Sequence, residues 1–276
     1  MTSRRPRLVA ITRSVSRAFA ECELTHLTRE PIDVGLARRQ HAAYEALLQE
    51  LGCEVERLPE EPTLPDSVFV EDAAVVVDEL AVVTRPGAES RRGETASVAA
   101  ALARHRRIVH VETPGTLDGG DVLRLGKRIY VGLSSRTNRA GAERLAALLA
   151  PFGYEVEAVP LDDCLHLKSG VTEVGDGTVI LNPQWIDRAL FERYEQIEVD
   201  SSEPFAANVL RVAGTAADDG DTIVLPAAFP RTAERLAARG LRVHTIEVTE
   251  VAKAEGGVTC CSILLRADVA AARGGA

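Results

Sequence analysis

Residues 144–160 read RLAALLAPFGYEVEAVP, and the order of events in this stretch decides the fold. Leu145, Leu148 and Leu149 recur at helical spacing, so 144–152 reads as an amphipathic helix. Gly153 suits the left-handed residue that ends a helix, and 154–159 then alternates as a strand until Pro160 closes it. The same helix–glycine–strand phrase appears upstream. There, Leu36, Tyr44, Leu47, Leu48 and Leu51 share one helical face, Gly52 follows, and 53–58 alternates up to Pro59. It returns downstream as 232–239, Gly240 and 241–246. Two variants lack the glycine. Residues 94–106 lead into 108–111, and 184–194 lead into 197–199, the latter helix with Asn182-Pro183 as cap and first-turn proline.

Between these phrases lie strand–turn–strand pairs. Residues 70–77 turn at Asp78-Glu79 into 80–84, and 122–125 turn at Gly126-Lys127 into 128–131. Residues 171–174 turn at Gly175-Asp176-Gly177 into 178–181, and 209–212 cross a polar loop with Asp218-Asp219-Gly220 into 222–225. The last strand, 261–266, has no downstream partner, and 7–12 is free to supply one, which would close a ring. The expected fold is α/β: a five-bladed α/β propeller of strand–strand–helix–strand units around a central pocket, with residues 1–276 as a single catalytic domain. The alternative is a generic α/β sandwich in which the periodicities are coincidental.

A ring of repeats brings equivalent positions together. The starts of the first hairpin strands read Glu71-Asp72, then Leu117-Asp118-Gly119-Gly120-Asp121, then Leu165-His166-Leu167-Lys168-Ser169, then Ala207-Asn208, then Thr259-Cys260. Acids, a histidine and a cysteine would therefore converge in one pocket. A cysteine near a histidine backed by an acid is the arrangement of covalent catalysis: nucleophile, base and orienter. Taken singly, a cysteine is usually a small buried hydrophobe and a histidine a satisfied structural residue; their shared place in the repeat favours chemistry. Cysteine, histidine and aspartate are also zinc ligands, but none has the close spacing of structural zinc sites, so no metal or other cofactor is expected. Adventitious or inhibitory zinc at the Cys260–His166 pair stays open. Adjacent Cys260 and Cys261 would point to opposite faces of an extended strand, one to the pocket and the other to the core.

Composition narrows the partners. A net charge of −9 disfavours nucleic acid and suits a small cationic substrate. No apolar run approaches the ~20 residues of a membrane helix, and Leu8 to Ile11 is too short for a signal peptide's apolar core. The five cysteines, at 22, 53, 164, 260 and 261, form no C-x-x-C, which fits a reducing, cytoplasmic location. The charged, aperiodic segment 16–35 reads as a lid or as disorder.

Several stretches resemble the dimethylarginine dimethylaminohydrolase family of the guanidino-group-modifying superfamily. They are LPDSVFVED at 64–72, TRPGA at 84–88, LDGGDV at 117–122, GLSSRTN at 132–138, LHLKS at 165–169 and TCCS at 259–262. The resemblance runs from about Asp33 to about Leu265 and carries the same five-bladed fold. It implies hydrolysis of asymmetric dimethylarginine or monomethylarginine to citrulline and the methylated amine, with no cofactor. It makes Cys260 the nucleophile, His166 the general acid/base and Asp118 the residue that orients His166. Asp66, Glu71 and Asp72 would hold the cationic groups of the substrate, and Arg91 and Arg136 its α-carboxylate. Leu24 would lie in the covering loop and Phe69 in the pocket wall. Glu255 stands where the family is expected to have an aspartate, which bears on substrate selectivity. The expected partner is a small methylated arginine, with no nucleic acid, no membrane and a homodimer as an option. The rival readings are an arginine deiminase or amidinotransferase of the same fold, and a non-enzymatic arginine-binding protein.

Overall fold

The computed structural model describes residues 7–161, 164–214 and 220–267. In chain order the elements are β1 (Leu8–Arg13), α1 (Val34–Glu50), β2 (Glu54–Leu58), β3 (Ala74–Val76), β4 (Leu80–Val83), α2 (Thr95–Leu102) and β5 (Arg107–His110). There follow β6 (Val122–Leu125), β7 (Arg128–Leu133), α3 (Arg139–Leu149), β8 (Glu155–Pro160), the single turn α4 (Leu167–Gly170), β9 (Val171–Gly175), β10 (Thr178–Leu181) and β11 (Glu195–Glu198). The remainder is β12 (Leu210–Val212), β13 (Thr222–Pro226), α5 (Pro230–Ala238), β14 (Arg242–Ile246), the single turn α6 (Thr249–Ala252) and β15 (Ile263–Arg266).

The strands form five three-stranded sheets: β3-β4-β5, β6-β7-β8, β9-β10-β11, β12-β13-β14 and β15-β1-β2. Each is an antiparallel pair whose second strand runs parallel to a third, as in β6–β7 with β8. The fifth sheet joins the two ends of the chain. Leu8 lies opposite Arg266 and Ile11 opposite Ile263, while β1 runs parallel to β2. Residues of β3, β6, β9, β12 and β15 together line one cavity of about 310 Å³, so the first strand of every blade borders a common axis. The fold is a five-bladed α/β propeller.

Local chemistry explains where the elements begin and end. Asp33 accepts the Leu36 N–H at the start of α1 and Asn138 accepts the Gly141 N–H at the start of α3, caps each worth about 1 kcal/mol. Gly52, Gly153 and Gly240 have φ of 88°, 75° and 80°, the left-handed conformation that lets the chain leave a helix and enter a strand. Hydrophobic faces then meet between neighbouring units. Leu145 and Leu149 of α3 pack with Val82, Ile129 and Val131, and Leu236 of α5 with Ile223 and Leu225.

Three expectations need correction. No α-helix spans 184–194. Asn182 accepts the Gln184 N–H, Asp187 accepts the Ala189 N–H, and the segment breaks into turns with one 3₁₀ stretch, Arg188–Phe191. Side-chain acceptors compete there with helical hydrogen bonds, while buried Ile186 and Phe191 anchor the turns. Two first hairpin strands also start later than their apolar patterns suggest, since Val70–Ala73 is a 3₁₀ turn and β15 begins only at Ile263. Lastly, α2 ends at Leu102 rather than 106. Asp218 and Asp219 of the polar loop lie outside the described residues.

A Cβ built on Gly240 would meet nothing within 4 Å, so a substitution there isolates backbone strain. Gly240→Ala should lower stability by about 1 kcal/mol in urea unfolding without changing activity. An unchanged midpoint would show that this residue does not need its left-handed conformation.

Candidate active site

Short turns just before the first hairpin strands carry the polar side chains of the site. In the turn Val70–Ala73, Glu71 and Asp72 are both buried. Asp118 caps the turn Gly119–Asp121, and His166 precedes the turn Leu167–Gly170, both with extended backbone. Asp121 holds the last of these, accepting the Leu167 N–H on one oxygen (3.0 Å) and the Ser134 hydroxyl on the other (2.7 Å). His166 is thereby fixed between two carboxylates. Its Nε2 is 3.2 Å from Asp118 Oδ2, and its Nδ1 is 3.9 Å from Asp72 Oδ1.

The close packing depends on two glycines. A Cβ on Gly119 would lie 1.9 Å from the Glu71 carbonyl oxygen, and one on Gly120 2.7 Å from His166 Nδ1. The Gly120 N–H instead donates to Asp72 Oδ1 at 3.0 Å, and the Gly87 N–H to Asp118 Oδ1 at 3.0 Å. Burial works against an imidazolium, but the charges of Asp72, Asp121 and Asp118 outweigh it and raise His166 to about 9. Burial also works against the Asp72 carboxylate, yet His166 and Arg91 bring it down to about 2. Burial pushes Asp121 up to about 6. Asp72, Asp118 and His166 offer ligand atoms within 4.8 Å of one another.

Cys260 sits in the turn before β15, half-buried, with its Sγ accepting the Gly257 N–H at 3.3 Å and lying 4.0 Å from Thr259 Oγ1. Its carbonyl accepts the Glu71 N–H at 3.2 Å, which ties the cysteine turn to the acidic turn. Burial and then the charges of Glu71 and Asp72 push the thiol up to about 12. Cys261 is buried in the core with Tyr44 and Val258, as expected, although a turn rather than strand alternation sends it there.

The remaining candidates form two groups. Glu71 is paired with Lys168 and accepts the Thr259 hydroxyl at 2.7 Å. Asn208 supports the same corner, bonding the Thr259 side chain and backbone and the Lys168 carbonyl. Arg91 is buried, with Nη1 2.7 Å from Asp72 and Nε and Nη2 on Glu94 at 3.1 and 2.9 Å. Its Nη2 also faces the carbonyls of Asp66 and Phe69, and its guanidinium lies 6.0 Å from the Phe69 ring centre. It is therefore no solvated rim arginine. A substrate carboxylate would have to draw one of these donors away. Burial pushes its partner Glu94 up to about 7.

The second group meets the segment that precedes α1. This segment is ordered: Phe19 and Cys22 are fully buried, and Leu24 packs against the same core. It covers three of the candidates. Asp66 accepts the Glu23 N–H on both oxygens (3.1 and 3.3 Å), and burial raises its pKa. Arg136 donates from Nη2 to the Thr25 hydroxyl at 3.1 Å, while its buried Nη1 has no hydrogen-bond partner among the described residues. Glu255, at φ 57°, accepts the N–H groups of Thr25, His26 and Leu27. Lys168, Thr259, Asn208, Glu94 and Asp121 carry the site's hydrogen bonding without having been assigned roles from sequence. Four of them stand at or beside the equivalent strand starts, which was the available signal; Glu94 offered none.

A five-bladed α/β propeller with a cysteine, a histidine and buried carboxylates at its axis defines a guanidino-group-modifying hydrolase. The eukaryotic N,N-dimethylarginine dimethylhydrolase family profile matches residues 26–266. A dimethylarginine dimethylaminohydrolase of Streptomyces coelicolor is 44% identical over 95% of this chain and 98% of its own length. Among solved structures, a cysteine-to-serine mutant of the Pseudomonas aeruginosa enzyme complexed with citrulline superposes with a TM-score of 0.88. It is 33% identical and covers 95% of this chain and 100% of its own. A histidine-to-glycine dimethylarginine dimethylaminohydrolase adduct with S-methyl-L-thiocitrulline gives 0.86 at 32% identity, covering 94% and 100%. The chain belongs to the dimethylarginine dimethylaminohydrolase family.

Two outcomes follow from this geometry. The His166 imidazole signal should titrate near pH 9 by NMR, and lower in Asp72→Asn; a wild-type midpoint near the ordinary 6.5 would contradict the charge balance. Because the folded-state value is raised, the stability His166 contributes is complete below about pH 6.5 and is lost as pH rises through about 9. Glu255→Ala should free the amides of Thr25, His26 and Leu27, raising their hydrogen exchange at least about tenfold. Unchanged exchange would mean that the segment is held by other contacts.

Proposed function

We propose that Cys260, His166 and Asp118 hydrolyse asymmetric dimethylarginine and monomethylarginine to citrulline and dimethylamine or methylamine. The observation that carries this reading is the shared acidic turn: the Glu71 N–H donates to the Cys260 carbonyl at 3.2 Å, and neighbouring Asp72 lies 3.9 Å from His166. A guanidinium is a weak electrophile because its charge is delocalised, so carboxylates on its nitrogens must fix its plane in line with sulfur. Glu71, which bonds the Thr259 hydroxyl next to Cys260, and its neighbour Asp72 supply the carboxylates for that task. The cation entering between them offsets the charges that keep the thiol protonated, and the thiolate forms where its target is bound.

The thiolate attacks the guanidinium carbon, and the His166 imidazolium protonates the methylated nitrogen as the carbon–nitrogen bond breaks. Neutral His166 then takes a proton from water, which attacks the S-alkylthiouronium carbon and releases citrulline. Asp118 keeps Nε2 in register through both transfers, and the Gly87 N–H holds Asp118. Arg136, with its unpartnered Nη1, receives the substrate's α-carboxylate, and Asp66 its α-amino group. The covering segment excludes water until the covalent intermediate is formed. We infer that the chain works as one catalytic domain in a reducing cytoplasmic compartment; the lack of any C-x-x-C among its five cysteines supports this. Among the described residues no helix is long and apolar enough to cross a membrane.

Free arginine and the methylated arginines offered in parallel should give citrulline with dimethylamine as the preferred co-product; ammonia from free arginine as the main activity would instead make the chain a deiminase. Cys260→Ser should abolish turnover. His166→Gly should still be alkylated at Cys260 by a reactive amidine while losing at least about 10²-fold in rate. An unalkylated Cys260 in the wild type would favour the arginine-binding reading. Arg136→Lys should raise KM by removing the forked donor pair, and an unchanged KM would take Arg136 out of the site.

A further inference from the structure

The axial cavity of about 310 Å³ lies at the opposite end of the ring from Cys260. The catalytic side chains sit just before the first strands, whereas Asp78 after β3, Gly126 after β6 and Arg266 at the end of β15 line this cavity. Its size is at the lower end of the ~300–1,000 Å³ that small-molecule sites occupy. Each blade's first strand contributes to the wall, through Val76, Arg124, Glu173, Arg211 and Leu264. At these positions the blades of β3 and β15, which pack together in one hydrophobic cluster, present apolar side chains. The other three blades present charges. The wall is therefore apolar on one side and ionic on the other.

Four arginines line the cavity against three acids, in a chain whose net charge is −9. Arg124 pairs with Asp78 at 3.1 Å, and Arg211 with Glu173 and Asp176 at 3.0 and 2.7 Å. Arg106 and Arg266 pair with no carboxylate among the described residues. Arg106 is only 4% exposed, and it donates to the carbonyls of Val77, His105 and Arg266 at 3.0, 2.8 and 2.6 Å. Those bonds use three of the guanidinium's five N–H groups and bring no negative charge. A buried cation is costly without a counter-charge, and a guanidinium fork fits an oxyanion best. Arg266 is exposed, and its carbonyl rather than its side chain holds Arg106.

We propose that this cavity binds a small organic anion, a carboxylate head on a short apolar body, at a site separate from the catalytic one. Arg106 and Arg266 take the carboxylate. Val76 and Leu264 take the apolar body. Asp176, which is exposed and already paired with Arg211, repels the ligand and so limits its affinity.

Calorimetric titration of the full chain with benzoate, and separately with inorganic phosphate, tests this. Benzoate should bind saturably at one site and more tightly than phosphate. Arg266→Gln, at an exposed position that folding tolerates, should weaken benzoate at least about tenfold by removing a charge-assisted partner. Asp176→Asn should change affinity in the other direction, tightening benzoate about threefold by removing a like charge. Arg136→Gln, in the catalytic site, should leave benzoate binding unchanged. Unaltered thermal melting of each variant shows that its fold is kept. No saturable binding of benzoate, or unmoved affinity in Arg266→Gln, would overturn the inference. Loss of binding in Arg136→Gln would place the anion in the catalytic site and overturn it too. Phosphate binding as tightly as benzoate would overturn the role given to the apolar wall. None of these outcomes bears on the methylarginine reading, which turnover tests.

Discussion

The site depends on finding partners for buried carboxylates. Asp66, Glu71, Asp72, Asp118 and Asp121 are each less than a tenth exposed. An ion so far from water costs several kcal/mol unless partners replace its hydration. Asp72 shows how this is met: it accepts the Gly120 N–H, pairs with Arg91 and faces His166. Arg91 is held in turn by Glu94, and Glu71 by Lys168. Substrate chemistry grows out of this balance, because the hub raises the His166 pKa and, after burial, pushes the Cys260 thiol up.

The same balance constrains the backbone. Carboxylates can be satisfied by peptide N–H groups only where the chain comes very near, and Gly119 and Gly120 allow that approach between the turns that carry Glu71 and His166. The 3₁₀ turns at the strand starts have the same origin. They expose N–H groups toward the axis that a regular strand would spend on its ladder. Ring closure by β1 and β15 then fixes the Cys260 turn against Glu71 through one backbone hydrogen bond.

Much of the architecture was legible because its signals are local. Helix, left-handed glycine and alternating strand are written in consecutive residues, and Gly52, Gly153 and Gly240 all adopt the conformation that the phrase requires. Pairing of the terminal strands followed from counting, since one blade lacked a strand. Segment 184–194 defeated the same method, because its apolar spacing suits a helix while Asn182 and Asp187 divert the N–H groups that a helix needs. The candidate site was readable as a set of equivalent positions, but not as a set of partners. Arg91, in a polar Ser90-Arg91-Arg92-Gly93 run, looks like a surface residue until Asp72 and Glu94 close on it. Glu255 looks like a guanidinium contact, and its extra methylene instead accompanies a carboxylate turned to three amides of the covering segment. Such pairings span up to 230 positions and leave no trace in spacing.

The central claim is that burial and acidic neighbours hold the nucleophile protonated until a flat cation arrives. Following the ultraviolet absorbance of the Cys260 thiolate against pH, with Cys260→Ser as the blank, tests it most directly. The free protein should show a midpoint near 12, falling by several units when an unreactive arginine-like guanidine is bound. Identical midpoints with and without the guanidine would contradict it.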